Sequence, residues 1–512
     1  MLKRDISTVN VLVAAAGGMI GSGWLFSPFI SAQMAGSNAL ICWVIAAVFM
    51  LFIALPLCEL GTMFPISGGM SNYPTFTHGR EVGFIFGWVS WLSYVVMTPI
   101  EIQAILQYAS HIFPLLVTKE NNITKLSAYG FGSAVIIMGA VVLLNTFGVK
   151  LLAECNKYAS IIKFAIPSLA ILSLLYTAHG AHTFGNVSIN LSGKSQWESI
   201  FTALSLGGVA FGFTGFQNGL MLAGEVKNPE RNIPIAILGA VLIGFVLYFM
   251  LQLSFIAAVP KSLLTHGWSQ LSFAGDSGPL VGLTLLLGLS VIAVLLMFDA
   301  CFSPMGTTLV YTAATSRILY GMALNDHLPK FLLKLNKYKI PYVTLYINFA
   351  VGLLSFLPFP GWQKMVGFLS SASILSYGIG PICLLALRQL QPNMKRPFKL
   401  LGATGFCYIA FCVCNLMLYW CGFDILWKLY VAVIIGLAIN LAYQKKSIFE
   451  CSSSLYWFFS YLTGLLILSC LGFFTGMGLV IPFSIMMLYF SQRCLDTDPI
   501  KQNVIRDTEW AT

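Results

Sequence analysis

The chain has 512 residues, of which 58% are hydrophobic and only 9% charged, and its mean hydropathy is +0.83. An average soluble domain carries about 25% charged residues, so a soluble globular protein is excluded and a polytopic membrane protein is indicated. The net charge of +10 is then no sign of nucleic-acid binding, because Lys and Arg accumulate in the cytoplasmic loops of membrane proteins.

A membrane span needs about 20 apolar residues. On that rule helices are predicted at 9–34, 39–63, 83–110, 127–147, 157–178, 199–224, 233–259, 280–322, 341–358, 364–388, 402–422, 426–443, 455–472 and 474–491. The expectation is an all-α polytopic protein with about fourteen spans, twelve being the alternative. Met1-Leu2-Lys3-Arg4-Asp5 has no cleavable signal pattern, so the first run is read as a retained helix. That run is interrupted by Gly17-Gly18-Met19-Ile20-Gly21-Ser22-Gly23-Trp24. The sixth is interrupted in the same way, by Gly207-Gly208-Val209-Ala210-Phe211-Gly212-Phe213-Thr214-Gly215-Phe216. Glycine weakens a helix and permits backbone angles that other residues resist. Within lipid, the peptide groups so freed are tolerated only where they line a cavity or meet a ligand. A matching pair of interrupted spans in two halves of a chain points to the binding site of a secondary transporter; the alternative is close helix packing through small residues. The eighth run is too long for one perpendicular crossing and is expected to tilt or to extend into the cytoplasm. The last two share one apolar stretch, as a hairpin or as two separate helices.

With the N-terminus inside, only Lys119, Lys125, Lys194, Lys261, Lys364 and Lys428 fall in outside loops, Lys163 falls within a span, and all other basic residues lie inside. This bias places both termini in the cytoplasm. Spans one to five and six to ten then have opposite orientation, the inverted-repeat arrangement with a break in the first helix of each half. The expected organisation is a transporter core over residues 1–390, four additional helices over 391–495 and a short tail over 496–512. The twelve cysteines are scattered, mostly in apolar runs, and suggest neither a disulfide framework nor a metal site.

Three strings resemble the amino acid–polyamine–organocation superfamily of permeases: Glu59-Leu60-Gly61-Thr62-Met63-Phe64-Pro65-Ile66-Ser67-Gly68-Gly69, Glu225-Val226-Lys227-Asn228-Pro229-Glu230-Arg231-Asn232-Ile233-Pro234, and Ser316-Arg317-Ile318-Leu319-Tyr320-Gly321-Met322 with Leu328-Pro329. The resemblance implies a LeuT-like five-plus-five inverted-repeat core with extra C-terminal helices, and amino-acid transport by alternating access. Gly21-Ser22-Gly23-Trp24-Leu25-Phe26, Ser67-Gly68-Gly69-Met70-Ser71, Pro99-Ile100-Glu101 and Asp299-Ala300-Cys301-Phe302-Ser303-Pro304-Met305-Gly306-Thr307 are similar to the bacterial aspartate–proton symporter group.

The candidate site follows. Exposed N–H groups at Gly21, Ser22 and Gly23, near the positive end of a half-helix dipole, suit a carboxylate, and the resemblance puts the substrate's α-carboxylate there. Phe211, Gly212, Phe213, Thr214 and Gly215 form the second break, whose unpaired carbonyls suit an α-ammonium group; by resemblance Phe211 is an aromatic gate. Lys163 sits inside the fifth span, where a lysine costs about 2.5–3.5 kcal/mol and is a functional candidate by default; proton-coupled members of the superfamily carry a lysine at this place. Its alternative is snorkelling toward the interface. Glu101 and Asp299 are two intramembrane carboxyls that suit a proton, an ammonium group or a structural pairing. Glu59, Glu225 and Arg317, near predicted cytoplasmic ends, read as solvated or paired structural groups. Ser370, Ser371, Ser373 and Ser376 either line a pathway or bond back to their own helix.

With the resemblance, these observations lead to the expectation of a proton-coupled amino-acid symporter in a bacterial inner (plasma) membrane. Its partners are an amino acid (aspartate, glutamate or another), protons and the bilayer, with no nucleic acid and no cofactor beyond the coupling proton. An exchanger on the same fold and a non-transporting amino-acid sensor are the competing readings. With six histidines, no histidine cluster and no nucleophile elbow, an enzyme is not expected.

Overall fold

The computed structural model describes residues 6–65, 70, 73–120, 123–147, 149–180, 183–273, 278–445 and 452–495, without side-chain detail at 123, 149–160 and 184. Lys3, Arg4, the Ser67-Gly68-Gly69 and Ser71 positions and the 496–512 tail lie outside the described residues.

The first predicted span is two helices, α1 (Thr8–Met19) and α2 (Gly23–Ala35). Helix α1 starts where the Ser7 hydroxyl accepts the Asn10 N–H at 3.3 Å, an N-terminal cap. After a short turn come α3 (Ala39–Met63), α4 (Tyr73–Val95) and α5 (Met97–Ala109), then α6 (Ala128–Thr146) and α7 (Val149–Gly180). The sixth predicted span is again in pieces: α8 (Lys194–Leu206), α9 (Val209–Gly212) and α10 (Asn218–Met221). The chain continues through α11 (Pro229–Ala258), α12 (Pro279–Leu286), α13 (Ser290–Leu324), α14 (Tyr342–Leu354), α15 (Trp362–Tyr377) and α16 (Ile379–Leu390). It closes with α17 (Ala403–Tyr419), α18 (Phe423–Gln444), α19 (Ser453–Leu468) and α20 (Phe473–Ser491).

Among the described residues nine helical stretches are long and apolar enough to cross a membrane, and shorter apolar helices accompany them at Thr8–Met19, Tyr342–Leu354, Ala403–Tyr419 and Ser453–Leu468. The protein is a multi-pass integral membrane protein. Fewer long helices are found than the fourteen spans expected because α2 and α3 run together as one stretch, Gly23–Met63, the second glycine break leaves its span in short pieces, and α14, α17 and α19 have only 13, 17 and 16 residues. Large apolar side chains such as Ile136, Leu172, Tyr176, Val246 and Val291 point outward, as a lipid-facing belt requires.

Three features differ from expectation. The chain is not purely helical: β1 (Val117–Glu120) pairs antiparallel with β2 (Ile123–Leu126). β-Branched Val117, Thr118, Ile123 and Thr124 flank a two-residue connection in the sequence, a hairpin spacing. The third span begins earlier than predicted, at Tyr73, because Gly79 takes φ 84° and lets one helix turn into another. The overlong eighth run is two helices, divided at Gly288 (φ 74°); α13 still has 35 residues, or about 52 Å at helical rise. The last apolar stretch is, within what was expected, a pair of helices, α19 and α20, packed on each other.

The inner bundle forms where α11 packs on α1, α3 and α7, and where α13 packs on α5 and α7. The last four helices lie against one flank: α17 on α3, α16 and α20, α18 on α4 and α15, α19 on α4. A buried ion cluster fastens that flank. Glu59 of α3 is fully buried, and Arg388 donates to its carboxylate at 2.7 Å while the Arg396 guanidinium approaches at 3.4 Å. The Leu400 N–H, on the connection into α17, donates to Glu59 Oε2 at 2.8 Å. Glu59 is therefore a paired structural group, whereas Arg317 is exposed. Replacing one member of a buried ion cluster leaves the others uncompensated, at about 3–5 kcal/mol. Glu59→Ala is expected to lower the thermal midpoint of the detergent-solubilised protein sharply; a midpoint equal to that of the unaltered protein would contradict the role.

Candidate substrate site at the paired helix breaks

Helix α1 ends because Ile20 leaves helical geometry (φ −94°, ψ 88°), and α2 starts at Gly23 after Ser22. The last carbonyls of α1 and the first N–H groups of α2 thus have no partners within their own helices. The negative pole of one half-helix faces the positive pole of the next. Each pole holds a side chain of opposite charge. At the positive pole, the Ser22 N–H donates to Glu101 Oε2 of α5 at 2.8 Å. At the negative pole, Lys163 Nζ of α7 donates to the Gly17 carbonyl at 3.4 Å and to Thr307 Oγ1 of α13 at 2.7 Å. The Tyr248 hydroxyl of α11 donates to the Met19 carbonyl at 2.7 Å. Lys163 does not snorkel: it is 2% exposed. It lies within electrostatic range of both Glu101 and Asp299.

Gly21 is bare where Glu101 sits. A Cβ on Gly21 would stand 2.4 Å from Glu101 Oε1, and one on Gly23 would stand 3.0 Å from Phe211 Cδ1. The second break lies against the first. Gly215 takes φ 126°, and a Cβ there would meet the Gly18 carbonyl carbon at 2.5 Å. A Cβ on Gly212 would meet the Trp43 ring at 2.9 Å. Two interrupted segments, far apart in sequence, therefore touch backbone to backbone.

Not every expected acceptor is open. The Phe211 carbonyl accepts the Thr214 N–H at 2.9 Å and the Thr214 hydroxyl at 2.7 Å. Both lone pairs are spent within the break, which corrects the expectation that this carbonyl awaits an ammonium group. The Gly215 N–H donates to Gln217 Oε1 at 2.8 Å, and Tyr377 of α15 donates to the same oxygen at 2.9 Å. Phe213 is fully buried, with its ring 5.9 Å from that of Trp43.

The breaks are covered on both sides. Toward the Ala35 end of α2, the Phe26 ring stacks on Trp362 at 4.8 Å, Phe211 meets Trp362 edge-on at 5.7 Å, and Trp362 Nε1 donates to Ser22 Oγ at 2.9 Å. Toward the other end, Tyr94 donates to Asn218 Oδ1 at 3.2 Å, and its ring lies 5.1 Å from that of Tyr311. Asp299 of α13 is fully buried; its Oδ1 accepts the Ser303 hydroxyl at 2.7 Å, and its Oδ2 has no partner. The Ser371 and Ser376 hydroxyls bond back to the carbonyls of Phe368 and Ser373, while Ser370 Oγ is unpaired.

Sequence reasoning missed Trp362, Tyr248, Gln217 and Asn218. A signal was present for the last two, which are amides directly following a glycine break inside an apolar run. Trp362 and Tyr248 carry no such mark. Only packing shows that their polar tips reach the first break.

Residues 6–439 match the amino acid permease family. The chain is 36% identical over 481 residues to the glutamate/serine transporter AimA of Bacillus subtilis, covering 92% of this chain and 88% of that one. It is 31% identical over 486 residues to the aspartate–proton symporter of the same organism, covering 93% and 92%. The branched-chain amino acid permease BcaP of Bacillus subtilis is 25% identical over 461 residues, covering 87% and 94%. Two spans, each interrupted and packed break against break, in a chain whose residues 6–439 match the family and which amino-acid transporters at 31–36% identity cover over more than nine-tenths, leave one conclusion: the chain belongs to the amino acid permease family, as a membrane transporter of amino acids and not an enzyme.

Proposed function

We propose that the protein is a proton-coupled amino-acid symporter working by alternating access, with serine, aspartate or glutamate as substrate. The single observation that carries this reading is the charged first break: a carboxylate on the positive pole, a lysine on the negative pole, and the second break packed against both. The substrate's α-carboxylate takes the N–H groups of Gly21, Ser22 and Gly23, and its ammonium group takes carbonyls of Gly212, Phe213 and Thr214, those of Phe211 and Gly215 being engaged within the break. Phe211, sealed by Trp362, is the gate. Protonated Lys163 ties α1 to α13; once neutral, it keeps only ordinary hydrogen bonds, about half as strong as charge-assisted ones. That weakening frees α1 to move. Asp299, with one oxygen unpaired and within electrostatic range of Lys163, is the relay for the proton.

In this reading residues 1–390 form two inverted five-helix repeats of the LeuT type, 391–495 add four helices, and 496–512 is a cytoplasmic tail. Both termini face the cytoplasm of a bacterial inner membrane, as the basic residues favour. The names of the two relatives above 30% identity, one for glutamate and serine and one for aspartate and protons, support the substrate class and the coupling.

Proteoliposomes test it. Empty vesicles with an acidic exterior are expected to accumulate labelled serine, aspartate or glutamate above the external concentration, and a protonophore is expected to abolish accumulation. Uptake seen only in vesicles preloaded with amino acid would instead identify an exchanger, and binding without any flux would identify a sensor.

A further inference from the structure

The positive pole of the first break is the place where a substrate carboxylate would bind, and it is already filled by a carboxylate of the protein itself. Glu101 is fully buried. One of its oxygens accepts the Ser22 N–H at 2.8 Å, while the other, Oε1, has no hydrogen-bond partner. Burying an acceptor unpaired is costly, about 1–3 kcal/mol and more if the group is charged, so a purely structural Glu101 is poorly satisfied. The break is also shaped for a carboxylate. Gly21 leaves a space that a single methyl group would close, since its Cβ would come within 2.4 Å of Oε1 and 3.0 Å of the carboxyl carbon. Helix α2, with 13 residues, is long enough to carry a dipole, and the N–H of Ser22 just before it donates into this space.

We propose that Glu101 is a tethered stand-in for the substrate's carboxylate: it occupies the cradle at Gly21–Ser22 when no substrate is bound, and takes a proton when an arriving amino acid displaces it. This deepens the symporter reading and rests on the breaks being the substrate site. Two carboxylates beside one donor set cannot both stay ionised. The arriving α-carboxylate inherits the Ser22 N–H, and Glu101, pushed off it, becomes a neutral acid. One proton then enters with each substrate, at the moment of binding. The groups facing Glu101 are Lys163 of α7, Tyr248 of α11 and Tyr311 of α13, with Asp299 acting on it through Lys163. Lys163 is the only cation among them, and it is committed to Gly17 and Thr307.

The competition has a measurable signature. L-Serine, L-aspartate and L-glutamate serve as probes with the purified full-length protein in detergent. Substrate Kd is expected to rise about tenfold per pH unit in the range where free Glu101 is ionised, one proton being taken up per substrate. In Glu101→Gln, which keeps an oxygen on the Ser22 N–H but cannot ionise, that slope is expected to fall by about one decade per pH unit, and the proton uptake seen with a pH-indicator dye in weak buffer is expected to disappear. In Glu101→Ala the cradle is empty, and millimolar propionate is expected to raise the thermal midpoint of that variant alone. A Kd slope unchanged by Glu101→Gln, or no propionate effect on Glu101→Ala, overturns the proposal. Gly21→Val introduced into the Glu101→Ala background separates it from the underlying reading. If that substitution leaves amino-acid Kd untouched, the breaks are not the substrate site. If it weakens binding while the Glu101→Gln slope matches that of the unaltered protein, the site stands and the competition alone fails.

Discussion

Uphill uptake driven by an inward proton gradient is expected to vanish in Lys163→Ala, while the variant still inserts and folds. The ammonium group joins three helices at once, donating from α7 to Gly17 of α1 and Thr307 of α13. Gly17 lies in the last turn of α1, where carbonyls have no intrahelical partner and a cation gains from the helix dipole. Truncation to Ala leaves that carbonyl without its donor, at about 1–3 kcal/mol, and removes the titratable amine. A membrane-buried lysine that costs about 2.5–3.5 kcal/mol to insert is retained only if the charge is used, so its loss is expected to be mild for stability and severe for coupling. Lys163→Met, which keeps the side-chain bulk, is expected to behave in the same way. The check is accumulation of labelled substrate in proteoliposomes with an acidic exterior, set beside the thermal midpoint of each variant. Accumulation equal to that of the unaltered protein would remove Lys163 from the mechanism.

The second large effect is expected at Gly215. Its φ of 126° lies where side chains are strained, and a Cβ there would meet Gly18 backbone at 2.5 Å. Nothing at that contact is a flexible side chain able to move aside. Gly215→Val therefore adds a strained backbone, about 1–3 kcal/mol, to a clash that prises the two breaks apart. Loss of both substrate binding and transport is expected, with a lowered thermal midpoint. Gly139→Ala is the matched control. Gly139 lies in α6 with nothing within 4 Å of a built Cβ, and Ala in place of Gly inside a helix gains about 0.5–1 kcal/mol. If Gly215→Val transported as well as Gly139→Ala, close approach of the two breaks would be irrelevant to function.

Composition sufficed to place this chain in a membrane, because apolar surface on that scale has no other solvent. The glycine runs sufficed to bracket both breaks, which fall at residues 20–22 and on either side of α9, because loss of helix propensity is a local property. The rest was set by packing. Gln217 and Asn218 are ordinary amides until the fold brings Tyr94 and Tyr377 to them, and Trp362 is one indole among eleven until α15 carries its N–H to Ser22. The extra hinge at Gly288 is hidden in an apolar run that reads as continuous, since a single glycine does not announce its φ. Above all, Glu101 and Lys163 read as isolated charges in separate spans. Hydropathy along one strand of sequence carries no information about distance between strands, so only the assembled bundle puts the acid on one pole of the broken helix and the amine on the other.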